Sequence, residues 1–433
     1  MYQMVRDKIF GMGFIGLEPG RLYKIGQSPK LKDQTASGNP LLTDSAEAPL
    51  TALTVYGHST QDGTPSPENP VPIVSAGDSG EIEAKVYGGN LISSDISSWN
   101  HKGWNGTVLQ LSDGIKIKAI NGWIKVYYDT SEMNGKTLNL SFDYRQIESE
   151  TTSPMMARAF AVVVQDENIF PTQTDSFPFE INSPETVKTH VSVSFIARNY
   201  LCFFLRVNTE GEEAGETRAI EVTNIMLNAG NTELTYEPYK TPQSIVLSTP
   251  GGLPGIPVSS GGNYTDENGQ QWVCDEIDLA RGKYVQRVGT ETINGGYNLS
   301  ETPDFPGRFL QHNAGFTNSY KNGGYKSVCN IALWYRWGVG KDDTVWKFAI
   351  SQTDCYLTPP TASGITTADE LNAFLNSLGF PLVFAGQLAT PIETDLTAEE
   401  IAAYKALHTY SPTTTVSNDA GAWMKMGYKT NEL

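Results

Sequence analysis

Leu138, Leu140, Phe142 and Tyr144 stand two residues apart, with polar residues between the first three. Successive side chains of a strand point to opposite faces, so this spacing predicts a strand with one face buried and one wet. The same reading covers 107–111, 115–119, 123–128, 137–144, 157–165, 190–196, 200–207 and 220–227. Eight such strands in roughly 150 residues, with turn residues between them, predict a jelly-roll β-sandwich over 87–240.

The rest of the chain is less regular. At 433 residues it exceeds one ordinary core, so two or three domains are expected. Charged residues make up only 18%, against 41 Gly, 24 Pro and 20 Tyr, which suits a turn-rich β protein rather than a disordered one. Residues 1–50 read as an extended attachment arm that a neighbouring subunit orders, or as a small hairpin on the main body. Residues 51–86 hold a strand and then Pro65, Pro67, Pro70 and Pro72, whose fixed φ favours a stiff polyproline spacer. Residues 241–288 form a β-rich junction with a hairpin signal at Asp266–Gly269.

Residues 289–433 read as an α+β domain. Thr367 with Glu370, and Thr397 with Glu400, have the spacing of capping boxes. They predict a helix over 368–378 and a second one lined by Ile401, Tyr404 and Leu407, with a strand over 382–388 between them. The stretches 328–337 and 344–351 read as paired strands. The fold class expected is mainly β: a jelly-roll sandwich, a smaller α+β C-terminal domain and an extended N-terminal arm.

A net charge of −17 repels phosphate backbones and anionic lipid, so neither nucleic acid nor a membrane surface is an expected partner. The four cysteines, Cys202, Cys274, Cys329 and Cys355, lie in apolar contexts without C-x-x-C spacing, which favours buried free thiols; Cys329–Cys355 is the only pair considered for a disulfide. Arg6-Asp7-Lys8 interrupts the mildly apolar start, so no signal peptide is expected, and no run of 18 apolar residues occurs.

No catalytic constellation, metal site or cofactor is expected. Gly77-Asp78-Ser79-Gly80 copies a protease nucleophile loop, but Glu81 follows it and the only upstream histidine, His58, is too near for a barrel, so a polar turn is expected. Asp266, Asn268 and Gly269 resemble part of a calcium loop that lacks its terminal Glu. Trp99, Trp104, Trp123, Tyr127 and Tyr128 are more informative. Trp99 and Trp104 fall in a polar stretch with Asn100, His101 and Asn105, read as a loop. Sugars stack apolar C–H faces on aromatic rings while amides take the hydroxyls, so Trp99, Asn100, Trp104, Asn105 and Trp123 are the candidate carbohydrate contacts. The plainer use of these tryptophans is to plug the end of the sandwich core. Trp334, Tyr335, Trp337 and Trp346 form a second group, read as core or subunit interface. A catalytic carboxylate pair cannot be picked out among 48 acidic residues.

Five segments carry a resemblance. Residues 252–289, GLPGIPVSSGGNYTDENGQQWVCDEIDLARGKYVQRVG, resemble a segment of minor structural and tail proteins of phages and prophages of Gram-positive bacteria. Residues 53–74 resemble that group's upstream linker, 87–91 the start of its sandwich domain, and 387–410 its C-terminal segment. Residues 220–239 resemble the last strand of carbohydrate-binding-module-like sandwiches in phage tail proteins. The resemblance implies a non-enzymatic virion protein, displayed on the particle exterior after assembly in the host cytoplasm. It implies a tail, baseplate or fibre position, contacts to other virion proteins through the arm, homo-oligomerisation with a trimer favoured, and adhesion to a host-surface glycan. The alternatives are an assembly or capsid head-fibre protein without ligand, and a polysaccharide depolymerase.

Overall fold

The computed structural model describes residues 12–17, 23–24, 47–149, 155–162, 176–181, 187–207, 217–302, 307–312, 314–322, 326–335, 344–410 and 414–429. Its most continuous part is an eight-stranded curled sheet: β1 (Asn100–Gln110), β2 (Gly114–Asp129), β3 (Thr137–Ser149), β4 (Met155–Val162), β5 (Ser176–Ile181), β6 (Thr189–Ile196), β7 (Tyr200–Val207) and β8 (Thr217–Ala229). The order is β5-β4-β7-β2-β8-β3-β6, with β1 on β2. The fold is mainly β, as the alternation predicts.

The bend that folds this sheet into a sandwich lies in the β1–β2 hairpin. Trp123 to Asp129 of β2 pair with β7, while Gly114 to Ile120 pair with β8. Ile115, Ile117 and Ala119 face the core, then the parity switches and Ile124 and Val126 face it. A bulge makes the switch: Asn121 has φ 44° and Asn105, across the hairpin, φ 53°. Gly122 sits so close to the Trp104 carbonyl that a Cβ there would lie 2.1 Å from its oxygen, so only glycine fits. The sequence reading divides here: 115–119 and 123–128 are one strand, and the expected loop around Trp104 is strand β1. A polar composition suggested a loop, but strand pairing with β2 absorbs those backbone groups. Both halves close on one core that includes Leu138, Leu140, Phe142, Leu201, Phe203 and Leu205.

The sandwich is inserted in a second body built from distant segments. Glu81–Tyr87 and Gln243–Ser248, which flank it in sequence, are hydrogen-bonded neighbours in a sheet that also holds Thr415–Asn418 and Tyr23–Lys24. A second sheet runs Met12–Leu17, Trp423–Lys429, Ala52–Tyr56, Glu276–Asp278, Lys283–Ile293, Leu382–Asp395, Ser327–Cys329. Leu53, Val55, Ile82, Val86, Leu247, Ile277 and Met424 share its core. The described parts of the expected arm thus pair with the C-terminal strands of the same chain; the remainder of 1–50 lies outside the described residues.

The proline-rich stretch is a loop rather than an open spacer. Ser59–Thr60 pairs with Val74–Ser75 to close it, Pro65 and Pro67 are buried, and the Val71 N–H donates to the Asn330 carbonyl at 2.8 Å. Gly77–Gly80 is a turn, with the Gly80 N–H donating to the Gly77 carbonyl at 3.0 Å.

Between Ile293 and Leu382 the chain builds a smaller unit. Its sheet runs Ser300–Glu301, Phe309–Gln311, Asp354–Thr358, Lys347–Ser351, Leu333–Trp334. The expected single strand over 328–337 is broken at the Cys329–Ala332 bridge: Ser327–Cys329 joins Leu382–Asp395, and Leu333–Trp334 pairs in parallel with Lys347–Ser351. Helix α1 (Ala368–Asn376) buries Leu371 and Leu375, and α2 (Ala398–Lys405) buries Tyr404; both start with a complete capping box. The Thr367 hydroxyl accepts the Glu370 N–H at 3.3 Å. Thr367→Ala should therefore lower stability by about 1 kcal/mol in urea unfolding, with the m-value unchanged. All four cysteines are buried free thiols, the Cys329–Cys355 pair included.

Candidate functional site

The registers of β1, β2, β7 and β4 define a grid of side chains on the face of the sheet that points away from the sandwich core. One row is Trp104, Trp123 and Arg206. The next is Lys102, Lys125, Phe204 and Arg158. The third is Asn100, Tyr127 and Cys202, and the last holds Asp129 and Tyr200. The alternate residues Ile124, Val126, Leu201, Phe203 and Leu205 face the core, which fixes the outward orientation of the grid.

Tyr127, Cys202 and Phe204 form the buried floor, with Trp123 and Tyr200 half-buried against it. The Trp123 and Phe204 rings are 6.4 Å apart, and Tyr127 meets Tyr200 edge-on at 5.6 Å. Trp104 stands at the rim, 58% exposed, opposite Trp123 in register. The Lys125 ammonium lies 5.5 Å from the Trp123 ring centre. Burial lowers the Lys125 pKa, the Cys202 thiol opposes that, and the charge of Lys102 lowers it further. The face thus presents an exposed indole backed by a second one, rimmed by Asn100 and Lys102. An aromatic ring beside amide and amine donors suits a hydroxylated ring whose C–H face can stack.

The structure divides the sequence candidates. Trp104, Trp123 and Asn100 come together on the grid, and exposed Asn105 occupies the bulge beside Trp104. Trp99 does not join them. It is 5% exposed, its indole N–H donates to the Ser93 carbonyl at 2.6 Å, and its ring packs on Tyr128 and Phe203 at 5.2 and 5.8 Å. It closes the end of the core. In the second aromatic group Trp346 is buried and stacks on Phe374 at 5.5 Å, Trp334 is half-buried, and Trp337 lies outside the described residues. Sequence reading missed Lys102, Lys125, Arg158, Arg206 and Tyr200; the two-residue spacing of Asn100, Lys102 and Trp104 was the available signal.

Two other clusters carry polar groups. A cleft of about 470 Å³ between the sandwich and the second body is lined by Glu83, Lys85, Tyr87, Asp129 and Glu132, among others. Its carboxylates are engaged. Lys85 Nζ lies 2.9 Å from Glu132 and 3.6 Å from Glu83, and Asp129 accepts the Ser131 N–H at 2.9 Å. The Tyr87 hydroxyl donates to Glu132 at 3.3 Å, and burial pushes its pKa up to about 12. These contacts join the two bodies. Asp266, the first residue of the calcium-like stretch, spends its oxygens within its own hairpin, accepting from the Asn268 and Gln270 N–H groups and the Trp272 indole at 3.0, 2.9 and 3.0 Å. Among the described residues no group of three or more His, Cys, Asp or Glu could hold a metal ion, and no helix is long and apolar enough to cross a membrane.

No protein-family model matches the chain, and no curated protein does. Among the solved structures that match, two show a weak likeness. One, described as "CBM4 structure and function", is 14% identical, covers 30% of this chain and 86% of its own, with a TM-score of 0.20. The other is the tripod (BppUct-A-L) from the baseplate of bacteriophage Tuc2009, 13% identical over 60% of this chain and 89% of its own, with a TM-score of 0.22.

Proposed function

We propose that this chain is a phage virion structural protein whose sandwich displays a saccharide-binding face at Trp104 and Trp123. The observation that carries the binding half is the placement of Trp104. A 58% exposed tryptophan in register with a half-buried one, on a strand whose next outward residues are Lys102 and Asn100, is an arrangement a core has no use for. The virion half rests on the resemblance of residues 53–74, 87–91, 252–289 and 387–410 to phage minor structural proteins, which also supplies the tail or baseplate position and the trimer. The protein acts by binding rather than catalysis: the carboxylates of the cleft are held in its own ion pairs and backbone bonds.

A glycan array probed with the full chain and with Trp104→Ala tests this. The wild type should bind a set of glycans that the variant binds at least about tenfold more weakly, with unchanged circular dichroism. Equal binding by both, or no glycan bound by the wild type, contradicts the saccharide site and leaves an assembly role.

A further inference from the structure

His190, the second residue of β6, sits between two carboxylates. Its Nδ1 lies 2.8 Å from Asp143 Oδ1 and its Nε2 2.7 Å from Glu233 Oε1. Asp143 stands opposite it in register on β3, and β6 ends the strand order of the sheet. Glu233 belongs to the connection 230–242, which leaves β8 and enters Gln243–Ser248 of the second body. The two carboxylates are held differently. Asp143 also accepts the Asn224 amide at 2.7 Å and lies 3.2 Å from Lys188 Nζ. Among the described residues the Glu233 carboxylate has only His190. The other charged residues nearby are few. β3 carries Arg145, paired with Glu221 of β8 at 2.5 Å, and Glu148 five residues on from Asp143. β5 carries Glu180, opposite Arg158 in register, and Glu237 of the connection accepts the Gly89 N–H.

An ionised carboxylate only accepts hydrogen bonds, and a neutral imidazole has a single N–H to donate. Both contacts are hydrogen bonds only when the ring carries both protons. Remove one proton and a bare ring nitrogen faces a carboxylate oxygen, lone pair against lone pair, so one contact breaks. Asp143 is fixed by Asn224 and Lys188 as well, whereas Glu233 is not. We propose that His190 is a proton-operated clasp: doubly protonated, its ring ties Glu233 and the connection back to the second body onto the edge of the sandwich, and on losing one proton it keeps Asp143 and lets Glu233 go. The Asp143 contact, against burial and with Glu233 assisting, holds the ring's pKa above its ordinary 6.5. The clasp is therefore closed below about pH 6.5 and opens as pH rises through that higher value. Neighbouring anchors bound the stretch it frees. The Asn231 and Thr232 carbonyls accept from Ser194 and Asn228 at 2.8 and 2.9 Å, and the Glu237 carbonyl accepts from Asn90 at 3.1 Å. Between them only buried Leu234 and the clasp hold the chain, and Tyr236 is exposed. The same connection carries Tyr239 and Pro242 into the cleft between the two bodies, so its release slackens that junction.

The ring is half exposed, so the effect is read locally rather than in global stability. Two measurements on the full chain test it. The first is an NMR pH titration of the histidine ring resonances, with that of His190 assigned by its loss in His190→Asn. Its midpoint should lie above 6.5 in the wild type and fall in Glu233→Gln. The second is hydrogen exchange of the connection at about pH 6 and pH 8, corrected for the intrinsic rate of exchange. Protection there should fall with rising pH by about three- to tenfold more in the wild type than in Glu233→Gln or His190→Asn. Asp275 titrates in the same range, and Glu233→Gln leaves it in place, so the difference between wild type and variant isolates the clasp. A wild-type midpoint at or below 6.5 overturns the proposal. So does an equal fall in protection in wild type and Glu233→Gln.

Discussion

Trp99→Ala is expected to destabilise the sandwich by about 3–5 kcal/mol, the range for removing a large buried aromatic side chain. Trp99 fills the space between Tyr128 and Phe203 at the end of the core, and its indole N–H is satisfied by the Ser93 carbonyl. Alanine leaves a cavity, an exposed Phe203 edge and an unmatched carbonyl. For a unit of this size the midpoint should fall by about 10 °C in calorimetry. Trp104→Ala, five residues away, should change stability by less than about 0.5 kcal/mol, because its ring is largely in water. A small loss at Trp99, or a large one at Trp104, contradicts the assignment of one ring to the core and the other to the surface. A double alanine variant at these positions would lose binding by unfolding and show nothing about the site.

Asp275→Ala should destabilise the second body by about 3–5 kcal/mol. Asp275 is fully buried, and it organises the junction segment. Its carboxylate accepts the Arg287 and Val288 N–H groups at 2.7 and 2.8 Å and the Tyr284 hydroxyl at 2.9 Å. Alanine strands three donors in the interior. Asparagine keeps an acceptor for the two N–H groups and should cost far less. Burial pushes the Asp275 carboxyl up to about 7, against the pull of those donors and of the Arg287 charge. The ordinary value is 3.8, so between about pH 4 and pH 7 the folded protein holds a proton that the unfolded chain has released. Its contribution to stability is full below about pH 4 and declines as pH rises through about 7. Asp275→Asn has no such titration, so its stability relative to wild type should improve from pH 5 to pH 8. Parallel melting curves for the two across that range contradict the assignment.

Local rules carried much of the fold. The two-residue spacing of Leu138 to Tyr144 returned as β3, and the run Tyr200–Val207 returned with its ends unchanged. Thr367 with Glu370, and Thr397 with Glu400, marked both helix starts because a capping box lies within four residues. The pairing of Ala52–Tyr56 with Trp423–Lys429 was not legible, since register between segments that far apart depends on packing that no local pattern encodes. The same limit hid an aromatic cluster in which His58, Trp272 and Trp423 meet at 4.2–4.9 Å. At the site, Trp99 and Trp104 share one polar stretch in sequence. They separate only because a short 3₁₀ turn, Ile96–Ser98, rolls Trp99 inward before β1 begins. The cations of the grid come from four strands, and only their registers bring them together.

The most direct test of the saccharide face is ¹⁹F NMR of the full chain carrying 5-fluorotryptophan, with resonances assigned by single replacements. The bound glycan from the array is then titrated in. The face at Trp104 and Trp123 predicts that these two resonances shift together and saturably, while those of buried Trp99, Trp346 and Trp423 stay in place. Movement of the buried resonances with Trp104 and Trp123 unmoved contradicts it.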